Sequence, residues 1–223
     1  MYLVKENSLN SDNPLFLNLK KFHDEIGKND QIDNKIMLIP DATQSKEIFE
    51  KGFSNKGLIK WCMENFMKNK HIFLDINAGF GEFTLNLSKN MKKTYSFESN
   101  AKKFACLVSN ICLHELNDKV IALPFKISNE TKNSSETLTY KLDDISFLEE
   151  GIGFIRAPGT KAVIEGAKNT LLKNNLPPIL FTIEETNIAA VASKKELFEL
   201  LEGLSYKIVI INGVKDTFLA VKG

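Results

Sequence analysis

The sequence predicts an α/β fold: a doubly wound, mostly parallel seven-stranded sheet with a terminal antiparallel hairpin. Three observations carry that prediction. From His71 onward, short apolar runs alternate with helical patterns of about 10–15 residues, as strand–helix–strand units do. A glycine-containing turn, Asn77-Ala78-Gly79-Phe80-Gly81, directly follows the first of those runs. The last two runs, Tyr206–Ile211 and Thr217–Val221, flank Asn212-Gly213, a hairpin-turn signal. They lie too close for a crossover helix, so they must run antiparallel.

The elements follow in order. Residues 1–13 are polar and read as a loose end. Pro14–Ile26 places Leu15, Leu17, Leu19, Phe22 and Ile26 at roughly helical spacing, and Lys35–Pro40 reads as a short strand. We therefore expect an N-terminal extension with a helix over 1–49 and a main domain over 50–223. Asn55–Asn69 is an apolar-striped helix. Ile72–Ile76, Thr94–Glu98, Val120–Ile127, Gly153–Ile155 and Pro178–Glu184 read as strands, and Thr137–Leu142 as a further one. Phe83–Asn90, Asn100–Glu115, Val163–Lys173 and Ser193–Leu204 read as helices. Phe104, Leu107, Val108, Ile111 and Leu113 form the buried side of the second, and Ser193 is the N-cap of the last.

Composition narrows the function. Apolar residues make up 43% and charged residues 26%, a globular composition. Lys plus Arg number 29 against 28 Asp plus Glu, so no bulk charge draws the chain to nucleic acid or an anionic membrane. Only Arg156 is Arg; the other 28 basic residues are Lys. A site gripping phosphate or carboxylate with Arg forks is thereby nearly ruled out, because only one fork exists. Cys62, Cys106 and Cys112 suit neither a disulfide framework nor a zinc site, and the last two are expected to fill core. No metal ligand set is apparent. Met1–Asn10 lacks a signal-peptide apolar stretch and no run of about 18 apolar residues occurs, so a cytoplasmic protein is expected.

The chemistry concentrates at the first strand–turn–helix unit. Asp75 is followed by Asn77, Ala78, Gly79 and Gly81, where glycines allow a tight turn and close backbone approach. Glu98 ends the second strand, placed to accept hydrogen bonds from both ribose hydroxyls of an adenosine. A dinucleotide site wants a third glycine, but Phe83 or Thr84 stands there. Asp75 and Glu82 suit a cationic ligand better than a diphosphate, which points to S-adenosylmethionine. A nicotinamide oxidoreductase is the weaker reading, because Tyr140-Lys141 lacks the spacing of a proton-donating pair.

Phe73–Leu85, FLDINAGFGEFTL, resembles the first motif of the FkbM family of S-adenosylmethionine-dependent methyltransferases. Tyr95–Asn100 resembles its second motif, Thr139–Asp144 its Thr-Leu-Asp segment, Glu165-Gly166-Ala167 its helix after the fourth strand, and Pro178–Glu184 its fifth strand. Phe104, Leu107 and Asn110 fit its second helix. The resemblance covers roughly residues 50–223. It implies a class I, Rossmann-like methyltransferase fold and O-methylation of a sugar or another small hydroxylated metabolite. From the charge balance and the lack of a long apolar run, no nucleic-acid or membrane partner is expected, and oligomeric state is left open. With the reading of the residues, the resemblance assigns Ser99, Ser128 and Asp143 to the cofactor beside Asp75, Asn77, Ala78, Gly79, Gly81 and Glu98. It leaves Glu184, Asp144 and Arg156 as catalytic candidates, with Glu184 first because it ends the fifth strand.

Two departures stand out. Asn77 and Gly79 exchange the Gly and Asn of the family motif. At the fourth strand, where family members commonly carry an acidic pair, Arg156 and Pro158 replace it. Arg156 then either binds an anionic substrate group or forms an ion pair with Glu98 or Asp143. The alternative function follows: a catalytically inactive methyltransferase fold acting as a binding or partner protein.

Overall fold

Ile72–Ile76 forms β1, and all five of its residues are buried. A strand covered on both faces reads as a near-continuous apolar run, which IFLDI is apart from Asp75. The computed structural model of the chain describes residues 38, 48, 56–66, 71–135, 137–146, 148, 151–183, 188–211, 214 and 216–223. In chain order the helices are α1 (Lys56–Phe66), α2 (Glu82–Leu87), α3 (Ala101–Leu113), α4 (Lys161–Glu165), α5 (Lys168–Lys173) and α6 (Ile188–Gly203). After β1, the strands are β2 (Lys93–Phe97), β3 (Val120–Leu123), β4 (Phe125–Ile127), β5 (Lys132–Asn133), β6 (Leu138–Tyr140), β7 (Ile152–Pro158), β8 (Ile179–Thr182), β9 (Tyr206–Ile210) and β10 (Thr217–Lys222).

The expected seven-stranded sheet forms, in the order β3-β2-β1-β7-β8-β10-β9. Its first five strands are parallel, and β10 is antiparallel to both β8 and β9. The antiparallel strand is therefore inserted one place inside the edge, and β9 forms the edge. The chain runs outward from β1 to β3 and then returns to β7 on the other side of β1. That reversal opens a crevice at the carboxyl ends of β1 and β7, where ligands bind in open α/β sheets.

Packing follows strand alternation. Ile72, Leu74 and Ile76 join the core shared with Val163, Ile164, Leu171, Leu197 and Leu201 of α4, α5 and α6. Phe73 faces the opposite way, with α1 and α2. There Phe154 stacks on Phe66 at 4.5 Å and on Phe73 at 5.6 Å, contacts worth about 0.5–1.5 kcal/mol each beyond their burial.

Several sequence expectations are corrected. Val120–Ile127 is two strands, because Pro124 cannot donate to a ladder. β4 joins β6 and β5 in a separate three-stranded sheet, which also takes the strand expected within Thr137–Leu142. Val163–Lys173 is two short helices broken at Gly166-Ala167. A Cβ at Gly166 would collide with the Ser128 carbonyl, so the chains cross at backbone distance there. α6 begins five residues ahead of Ser193, which is thus inside a helix and no cap. On α3, Leu107 and Ile111 are buried, but Val108 and Leu113 are exposed. Cys112 is exposed too; Cys106 is half-buried and Cys62 buried, where burial pushes its thiol pKa up. Of residues 1–49 only Leu38 and Ile48 are described, and both pack with Phe80 and Cys106. The helix over Pro14–Ile26, the strand over Lys35–Pro40 except Leu38, and the turn Asn212-Gly213 lie outside the described residues. Among those residues, no helix is long and apolar enough to cross a membrane.

Candidate cofactor-binding site

Asp75 sits beside Ser96 of β2 and Arg156 of β7 in the sheet register. Its side chain is fully buried on the α2 side. Thr84 Oγ1 donates to its Oδ2 at 2.6 Å and lies 2.8 Å from Ser96 Oγ. Arg156 Nη1 reaches Oδ1 at 3.3 Å. A buried carboxylate is costly unless it is paired and hydrogen-bonded, and these groups supply both. Asp75 therefore braces the turn from beneath.

The turn doubles back tightly. Asn77, Gly79 and Gly81 have φ of 65°, 63° and 94°. Asn tolerates this left-handed region better than most side chains, which accounts for its standing at the first of the three. At Gly81 a Cβ would also come within 2.9 Å of Leu107 Cδ1. The Ala78 N–H donates to Phe97 O at 2.9 Å, tying the turn to β2, and Ala78 packs with Leu107. The Phe80 carbonyl accepts from the buried Asn110 Nδ2 at 2.9 Å. Asn110 matches the family's helix, but its role is visible only in three dimensions.

Glu98 follows β2 and is 2% exposed. Its Oε2 accepts from the Gly79 N–H at 2.8 Å and its Oε1 from the Asn100 N–H at 2.7 Å. Asn100 Oδ1 in turn caps α3 through the amides of Lys102 and Lys103. A carboxylate has about four acceptor positions. The two remaining at Glu98 suit a vicinal diol, beside a Gly79 backbone that carries no side chain. These acceptor positions thus fit the ribose at the adenosine end of a cofactor. Ser99 is half-buried next to it.

Arg156 crosses from β7 to the turn. Besides Asp75, its Nη1 donates to Asn77 O at 2.8 Å, and its guanidinium carbon lies 5.0 Å from the centre of the Phe83 ring. The ion pair is with Asp75, neither with Glu98 nor with Asp143. Pro158 is accommodated without loss. The amides of Ile155 and Gly159 donate toward Pro178 and Thr182 on the β8 side, so residue 158 faces β1. β1 has already ended, its last pair with β7 being Asp75–Arg156. No ladder bond is missing there.

Three expected site residues are engaged elsewhere. Asp143 accepts from the Asn169 and Thr170 amides at 3.1 and 2.8 Å, capping α5 from outside that helix. Asp144 accepts from Thr131 Oγ1 at 2.6 Å and faces Lys141 at 3.8 Å. Ser128 donates its amide to Tyr140 O at 2.9 Å, and its carbonyl faces Gly166. Glu184 lies outside the described residues. Among the described residues no cluster of His, Cys, Asp and Glu could hold a metal ion. Thr84 and Ser96 were missed as bracing residues, since a buried hydroxyl in an apolar run carries no sequence signal for its partner.

No protein-family model matches the chain, and no curated protein matches it in sequence. Solved structures do share its fold. An rRNA methylase from Streptococcus thermophilus aligns with a TM-score of 0.54 at 13% identity, covering 75% of this chain and 95% of that one. Precorrin-6y C5,15-methyltransferase from Geobacter metallireducens GS-15 aligns at 0.52 and 11%, covering 78% and 92%. Methyltransferase FkbM from Methylobacillus flagellatus KT aligns at 0.54 and 12%, covering 92% of this chain but 59% of its own. At such identities the likeness is one of architecture: the chain has the Rossmann-like fold of the methyltransferases.

Proposed function

We propose that the chain is an S-adenosylmethionine-dependent methyltransferase acting on a hydroxyl of a sugar or another small hydroxylated metabolite. The observation that carries the cofactor reading is Glu98, buried at the end of β2, bonded to the Gly79 amide and retaining acceptor positions for a ribose diol. The substrate class rests on the FkbM resemblance and on the even charge balance, which favours a small molecule over nucleic acid. When bound, the cofactor supplies a methyl group on a sulfonium. The chain's part is positioning, which alone supplies much of the rate in such displacements. Asp75, Thr84 and Ser96 hold the turn; Gly79 and Glu98 bind and orient the adenosine. The acceptor hydroxyl also needs a group to take its proton. We assign that role to Glu184, which follows β8 in sequence.

One observation favours a second reading, a binding or partner protein without turnover. Arg156 and Pro158 stand at the end of β7, where the family resemblance leads one to expect acids. Calorimetric titration with S-adenosylmethionine and S-adenosylhomocysteine tests the shared premise, and micromolar binding of either is expected. Glu98→Ala should weaken that binding about tenfold or more, roughly 1.4 kcal/mol, with a thermal melt confirming the fold. Unchanged affinity would sink the cofactor assignment. A labelled-methyl screen over sugars then separates the readings: turnover supports the enzyme, and binding without turnover supports the partner protein.

A further inference from the structure

Arg156 is the only guanidinium in a chain that otherwise uses 28 lysines, and it stands where β1 and β7 diverge. All its bonds to described residues run through Nη1, to Asp75 Oδ1 and to Asn77 O. Its guanidinium carbon lies over the Phe83 ring, 5.0 Å from the ring centre. Nη2 and Nε have no hydrogen-bond partner among the described residues, and the side chain is 27% exposed. The planar fork is thus held through one nitrogen, and its second edge of donors, Nη2 and Nε, is uncommitted among the described residues. A lysine could not do this, because its three donors radiate from a single nitrogen.

We infer that the open edge of Arg156 binds the carboxylate of the cofactor's amino-acid tail. This rests on the S-adenosylmethionine reading above. Carboxylate is the group a guanidinium edge fits in two parallel bonds. The adenosine end lies at Glu98, across the turn from Arg156; both touch that turn, Glu98 at the Gly79 amide and Arg156 at the Asn77 carbonyl. A ligand laid over the turn with its diol at Glu98 sends its other end toward β7. The Asp75 contact, at 3.3 Å, orients the guanidinium while leaving its outer edge uncommitted. The replaced acids of the fourth strand are, on this account, exchanged for a cofactor anchor.

Calorimetry with two ligands on the unaltered protein provides the test. S-adenosylmethionine should bind about ten- to a hundredfold more tightly than decarboxylated S-adenosylmethionine, the range of a charged hydrogen-bonded contact. Arg156→Gln should bind the two within about threefold of each other. If its buried Asp75 unfolds that variant, Arg156→Lys keeps a counter-charge and should still lose most of the discrimination, because the fork is gone. Equal binding of both ligands by the unaltered protein, with micromolar affinity, overturns this inference and leaves the cofactor reading standing. Full discrimination surviving in both variants overturns it as well. Binding of neither ligand by folded protein overturns the cofactor reading itself.

Discussion

Thr94 on β2 and Thr84 on α2 show how differently two buried hydroxyls can behave. Among the described residues, Thr94 Oγ1 is the one buried side-chain polar atom with no hydrogen-bond partner. Its desolvation is uncompensated, so Thr94→Val should leave stability unchanged or raise it by about 1–2 kcal/mol in urea unfolding. Thr84 is the opposite case, since its Oγ1 serves Asp75 and lies within reach of Ser96. Thr84→Val leaves the carboxylate short of a donor and should cost about 1–3 kcal/mol. A loss at Thr94 as large as that at Thr84 would mean that its hydroxyl has a partner after all.

Short elements depend on groups outside themselves. α5 has six residues, and its early amides at Asn169 and Thr170 are satisfied by Asp143, 27 residues from Thr170. Capping contacts of this kind are worth about 0.5–2 kcal/mol. Asp143→Ala should lower thermal stability by that amount while leaving S-adenosylmethionine affinity within about twofold. A large loss of affinity in a stable variant would return Asp143 to the cofactor, as the sequence led us to expect. Gly166 does comparable work for the element before α5: without a side chain, it lets the α4–α5 junction lie on the Ser128 carbonyl.

At the scale of the molecule, alkaline pH should loosen the fold through Tyr206. Its hydroxyl donates to Pro177 O at 2.9 Å, joining the edge strand β9 to the segment entering β8. Burial pushes its pKa above the ordinary value near 10. The unfolded chain therefore releases this proton first as pH rises, and folding must take it back up. The sign follows: the contribution is fully present below about pH 10 and is lost above it. Cys62 is raised by the same cause, burial, and adds to the slope. Tyr206→Phe should lose about 0.5–1.5 kcal/mol at neutral pH for its missing bond, yet decline less steeply above pH 10 in urea titrations. An unaltered slope would show that the hydroxyl is not protected from solvent.

What the sequence by itself determined was whatever depends on neighbours along the chain. Alternating apolar runs announce the parallel strands, because a strand covered on both faces must be apolar throughout. The turn Asn77–Gly81 is legible because left-handed backbone selects Gly and Asn locally. Glu98 is legible because strand ends bring their last residues to one edge. Tertiary structure decided the rest. Asp75 and Arg156 are 81 positions apart, and only the β1–β7 register makes them a pair. Asp143 looked like a ligand contact by position and is a helix cap, because α5 folds back to meet it. The place of β10 inside the sheet edge follows from its pairing with β8, a contact no local pattern encodes. A carboxylate or guanidinium declares its chemistry in the sequence, but its partner is chosen by how distant segments pack.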